Sequence, residues 1–89
     1  MMITASELLE AGFISEEATT PGLKYITFTK FLDQDGDDTY FEMVVTHELK
    51  GDKVVLCYVE LGIDNNYRKL AGIDSIDKIN QLLKLLESA

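Results

Sequence analysis

The chain has 89 residues, 46% of them hydrophobic, and a formal net charge of −8 at pH 7. That length supports a single domain, residues 1–89, built on one modest core. Eight Lys and Arg stand against sixteen Asp and Glu, with no basic patch, which argues against direct nucleic-acid binding and disfavours an anionic membrane surface.

No apolar run approaches the ~18 residues that a membrane span needs. Met1 to Phe13 lacks the charged start and long apolar stretch of a signal peptide, so a cytoplasmic location is expected. Cys57 is the only cysteine, which leaves no intrachain disulfide and no thiolate metal cluster. Its strand neighbours Val55 and Val59 predict a buried, inert thiol.

Ile3 to Phe13 predicts a short helix. Thr4 is the N-cap, Glu7 completes a capping box, and Ile3 with Leu8 makes a hydrophobic staple. Gly12 suits the left-handed terminating position, and Leu8, Leu9 and Phe13 are the anchors. Ile14 to Gly22 has turn chemistry and no apolar period, and predicts a connecting loop. Leu23 to Leu32 predicts the first strand, with Ile26 and Phe28 on one face and Tyr25, Thr27 and Thr29 on the other. Pairing Leu32 with Thr39 sets Phe28 beside Met43 and Lys30 near Phe41, with its amine in water.

Asp33 to Asp38 (DQDGDD) is the most charged stretch. A calcium loop of the EF-hand type begun at Asp33 needs Gly at its sixth position and Glu at its twelfth, where this chain has Asp38 and Val44. The stretch predicts a polar hairpin loop instead. Its carboxylates, Asp33, Asp35, Asp37 and Asp38, still make a candidate contact for a basic partner, a small ligand or a calcium ion.

Thr39 to Leu61 predicts a β-hairpin. With Lys50, Gly51 and Asp52 as a three-residue loop, Phe41 faces Leu61, Met43 faces Val59, Val45 faces Cys57 and His47 faces Val55. A two-residue Gly51-Asp52 turn would set Met43 against Glu60 and scramble that apolar face. The outer face then carries Glu42 opposite Glu60, Val44 opposite Tyr58, and Leu56. Gly62 to Asn66 predicts a turn, and Tyr67 to Ala71 a fourth strand with Arg68 opposite Glu60 and Leu70 beside Tyr58. Asp74 to Ser88 predicts a second helix capped by Asp74. Ile76, Ile79, Leu82, Leu83 and Leu86 make its apolar stripe, with Leu85 off it.

The element order predicts an α+β domain: a short N-terminal helix, a four-stranded antiparallel meander and a C-terminal helix. His47, the only histidine, and Cys57 would lie two pairs apart on the inner face. With no glycine-rich phosphate loop and no G-x-S-x-G elbow, neither an enzyme nor a cofactor is expected. Val44, Leu56, Tyr58 and Leu70 form more apolar surface than a solvated face needs, so either one helix lies on each face of the sheet or the outer face is an interface, with a homodimer through it the economical reading. The expectation is a small acidic, non-enzymatic protein-interaction domain that meets a homodimer mate or a basic protein through this face and the Asp33–Asp38 loop. The alternatives are a small-ligand or calcium binder using that loop, and a nucleic-acid mimic whose carboxylates occupy a host protein's basic groove.

The stretches Thr4 to Phe13 (TASELLEAGF) and Leu70 to Ile79 (LAGIDSIDKI), placed before and after the strands, resemble those of small α+β proteins common in bacterial phages and mobile elements. The resemblance is one of layout. It implies a helix, then strands, then a short capped helix, and carries over no functional residue.

Overall fold

The structure, a computed structural model, describes residues 3–33 and 41–87. Helix α1 (Ala5–Glu10) precedes strands β1 (Ile14–Thr20), β2 (Leu23–Asp33), β3 (Phe41–Lys50), β4 (Lys53–Ile63) and β5 (Asn66–Leu70), and helix α2 (Ile76–Glu87) follows them. The strands form one antiparallel sheet in chain order. The α+β layout is as expected, with five strands in place of four.

The added strand is the segment expected as a loop. β1 pairs along its whole length with β2, from Ile14 opposite Thr29 to Thr20 opposite Leu23. Pro21 and Gly22 turn the chain, with Gly22 at φ 90°, the positive value that the second central position of a type II turn demands. All seven β1 residues are exposed. The strand buries neither face, so no alternation of apolar and polar residues announces it.

The β3–β4 hairpin departs from the expected pairing by two residues and keeps the expected faces. Its turn is Gly51-Asp52, with Lys50 opposite Lys53 and Leu49 opposite Val54. Continued unbroken, that ladder would set Met43 against Glu60. A bulge leaves Val55 as the extra residue, and beyond it His47 faces Cys57, Val45 faces Val59 and Met43 faces Leu61. On the other side of β3, Phe28 faces Val45 and Lys30 faces Met43, again two residues from the expected register with the same faces.

The β4–β5 pair differs from expectation by one residue, so the faces of β5 exchange. Asp64 and Asn65 make a two-residue turn at φ 50° and 69°. Val59 then faces Leu70, Glu60 faces Lys69, and Leu61 faces Arg68. Leu70 and Arg68 therefore lie on the helix side of the sheet, and Tyr67 and Lys69 on the outer side.

The core lies on one face only. Phe28, Met43, Val45 and Val59 are buried there with Ile3, Leu8 and Phe13 from the N-terminal segment and Ile79 and Leu83 from α2. Each such large apolar side chain stabilises the fold by about 1.5–3 kcal/mol. Both helices therefore cover the same face. No helix of the described residues is long and apolar enough to cross a membrane.

Local chemistry sets the helix ends. The expected capping box is present: the Glu7 N–H donates to the Thr4 hydroxyl at 3.2 Å, and the Thr4 N–H donates to the Glu7 carboxylate at 3.0 Å. The Phe13 N–H donates to the Leu8 carbonyl and the Gly12 N–H to the Leu9 carbonyl, closing α1 with Gly12 at φ 94°. Leu9, expected as an anchor, is 52% exposed, because a six-residue helix has only one face to turn toward the sheet. Lys30 does not end in water: its Nζ donates to the Ala11 carbonyl at 2.7 Å and satisfies the end of α1. In α2 the cap is Ser75 in place of Asp74, since the Ser75 hydroxyl accepts the Lys78 N–H at 3.3 Å. Asp74 is an ion-pair partner of Lys78 at 2.8 Å, which holds its carboxyl below the usual range. Leu85 is exposed, as expected.

Candidate functional site

With both helices on one face, the other has no helix of the described residues above it. A groove of about 580 Å³ crosses it, touched by all five strands. The groove follows from strand alternation and register. Thr27 faces Thr46, Thr29 faces Val44 and Phe31 faces Glu42, so these six side chains share the outer face. Val44 and Thr46 form the floor, only 9% and 5% exposed although no helix lies over them. Ile14 and Glu16 of β1 stand on one side, and Glu60 and Tyr67 of β4 and β5 on the other. The Thr27 hydroxyl donates to the Glu16 carbonyl at 3.4 Å and ties the β1 side to the floor.

Tyr67 lies across the groove because its cross-strand partner is Gly62. A Cβ on Gly62 would overlap the tyrosine ring. Without one, the ring lies flat over β4 and its hydroxyl donates to Glu42 Oε1. That hydrogen bond, together with desolvation and the charges of Glu42 and Glu60, pushes the Tyr67 hydroxyl above its ordinary pKa.

The groove is electronegative, and none of the residues lining it is a cation. Glu16, Glu42 and Glu60 line it. Lys24 pairs with Glu17 and Lys78 with Asp74, and neither pair includes a groove carboxylate. A cation near Glu60 was expected from Arg68. The structure sets Lys69 opposite Glu60 instead, and its Nζ lies 4.4 Å over the ring of Tyr58.

The expected contact residues scatter over this frame. Val44 is in the groove floor. Tyr58 is on the outer face opposite Thr46, and Leu56 is there opposite Glu48, 46% exposed. Leu70 is not with them: the one-residue change in the β4–β5 register turns it onto the core. Of the acidic loop, Asp35, Asp37 and Asp38 lie outside the described residues, and Asp33 is described only by its backbone place opposite Phe41. Sequence reasoning missed Ile14, Glu16, Phe31 and Tyr67 as groove residues. Phe31 carried a signal, as a large aromatic in alternation with Thr27 and Thr29.

His47 and Cys57 face each other directly across the β3–β4 ladder, two residues closer than expected. His47 is buried, edge-on to Phe28 with ring centroids 5.0 Å apart, and its Nε2 has no hydrogen-bond partner among the described residues. Burial lowers its pKa, against a hydrogen bond with the Ile3 backbone, and burial raises that of Cys57. Both shifts favour the neutral forms, the reverse of an activated thiolate–imidazolium pair. Among the described residues no three His, Cys, Asp or Glu side chains are grouped to hold a metal ion.

Set against protein-family models, curated proteins and solved structures, the chain matches none of them.

Proposed function

We propose that this is a non-enzymatic protein-interaction domain whose uncovered sheet face receives a basic segment of another protein. One observation carries the reading. The groove on that face joins an apolar and hydroxyl floor to three carboxylates that no cation of the described residues pairs. A lysine or arginine suits such a place, since its alkyl stem lies on Val44, Ile14 or Phe31 while its charge meets Glu42, Glu60 or Glu16.

The same charges argue against a homodimer through this face. Two copies set face to face would bring Glu16, Glu42 and Glu60 of one toward those of the other, in a protein with a net charge of −8.

The test uses a capped peptide, KTVTKTV, whose alternating lysines and valines share one face. Titrated into isotope-labelled protein at low salt, it should shift the amide resonances of Thr27, Thr29, Val44 and Thr46. The shifts should weaken steeply as salt rises. The double variant Glu42→Gln with Glu60→Gln should lose about tenfold in affinity, the equivalent of one charge-assisted hydrogen bond. Shifts spread evenly over the acidic surface, unchanged by that variant, would refute the reading. So would sedimentation at twice the mass of one chain that Tyr58→Glu reverts.

A further inference from the structure

We infer that the basic partner docks as an added β-strand on the free edge of β1, so that a sixth strand extends the groove wall. The inference deepens the groove reading and rests on it.

The two edges of the sheet differ in a way that selects a site and a partner. β1 pairs with β2 through seven residues without a register shift, so its other side presents a regular row of unpaired N–H and C=O groups. Its side chains are exposed on both faces, including Ser15, Glu17 and Thr19 on the helix side, so neither helix shields it. It holds no lysine, no proline and no bulge, and the charges that guard this edge are both acidic. Its only charges are Glu16 and Glu17, and Lys24 pairs with Glu17 at 3.4 Å. Glu16, without an ion-pair partner among the described residues, faces the groove. The opposite edge, β5, is five residues long and carries Arg68 on one face and Lys69 on the other. That edge repels a basic strand, and β1 attracts one.

Charge also decides between a foreign strand and a second copy. Two β1 strands paired antiparallel along their whole length would set Glu17 of one copy directly against Glu17 of the other, with both Glu16 side chains close by, and like charges directly opposed are destabilising. A strand with a lysine or arginine beside Glu16 and an apolar residue beside Ile14 meets neither obstacle. Its backbone would complete the β1 ladder, and its groove-facing side chains would reach the floor at Thr27 and Thr29. Main-chain bonds would then give affinity and the alternate side chains specificity.

Backbone chemistry supplies the test and leaves the protein unaltered. In an extended peptide, alternate amides point to opposite edges. Two N-methylated forms of KTVTKTV, one modified at the lysines and valines and one at the threonines, each block one edge. Strand addition predicts that one form loses about tenfold or more in affinity while the other keeps it, because several backbone hydrogen bonds are lost together. It also predicts slowed hydrogen exchange at β1 amides in the complex, and weaker binding by Glu16→Lys. If both methylated forms bind as the parent does and β1 exchange is unchanged, the strand inference fails while the groove reading stands. If the parent peptide leaves the groove resonances unmoved, the groove reading fails and takes this inference with it. If the free protein is already a dimer with protected β1 amides, a second copy holds the edge and the inference is wrong.

Discussion

Phe28 and Phe31 lie three residues apart on β2 and face opposite ways. Phe28 is 1% exposed, under both helices and against His47. Phe31 is 43% exposed, at the side of the groove. The two faces they stand for are built by different physics. The helix face is stable because Ile3, Leu8, Phe13, Ile79 and Leu83 are brought from outside the sheet to exclude water from it. No helix of the described residues covers the outer face, and its floor is shielded by neighbouring side chains. That face hides Val44 and Thr46 and leaves three carboxylates around them, the arrangement on which the proposed partner site rests.

The largest expected effect breaks the helix face. Phe28→Ala should cost about 3–5 kcal/mol, since it removes a fully buried ring and the contact it makes with His47. Urea denaturation would read it as a lowered midpoint, and a loss under 1 kcal/mol would show that Phe28 is not the centre of the core.

The next effect sharpens the same contrast through pH. The folded state lowers the His47 pKa below its ordinary 6.5. As pH falls through 6.5 the unfolded chain takes up a proton that the folded protein refuses. Stability should therefore be full above pH 6.5 and decline below it, by at most about 1.4 kcal/mol per pH unit until the folded pKa is reached. Melting temperatures between pH 7 and pH 5 should show this decline, and His47→Gln should flatten it. An unchanged slope in that variant would place the titration elsewhere.

How far the sequence made these faces legible depended on burial. The helix face was readable because apolar spacing reports it: Phe28, Val45, Val59, Ile79 and Leu83 all lie where the pattern puts them. The capping box was readable because its atoms are close in sequence. Pairings were less so. Parity of faces is encoded by side chains, but a shift of two residues preserves parity, and the bulge at Val55 produces one. β5 offered five residues of which only Leu70 is half-buried against the core, too little to set parity, and its register differs from the expected one by one residue. β1 gave no signal because it buries nothing, and with it went Ile14 and Glu16 of the groove. The candidate site was obscure for the same reason: its residues come from five strands and share no local pattern.

A smaller effect probes the outer face at Gly62. Gly62→Ala places a Cβ where the Tyr67 ring lies, and the exposed ring must swing away. Stability should change by no more than about 1 kcal/mol, because the strain of the new methyl is offset by the lower entropic cost of ordering alanine in a strand. Freed from the Glu42 hydrogen bond, Tyr67 should titrate closer to the ordinary tyrosine value, which absorbance near the phenolate band would follow. No change in that titration would mean that Gly62 is not what lets Tyr67 reach Glu42.

The smallest effect on stability falls on the second phenylalanine, and it separates the two faces most directly. Phe31→Ala removes a ring that is 43% exposed, so the fold should lose no more than about 0.5 kcal/mol. The ring stands beside Glu42, where a bound lysine would lie with its stem against the aromatic surface and its ammonium at the carboxylate. An exposed cation–aromatic contact is worth about 0.5–1 kcal/mol, so KTVTKTV should bind roughly two- to fivefold more weakly to the variant. The two phenylalanines then have opposite signatures: Phe28→Ala costs stability, and Phe31→Ala costs affinity in a protein that melts as before. If Phe31→Ala proved as destabilising as Phe28→Ala, the outer face would be a second core, and the groove would lose its standing as a surface that waits for a partner.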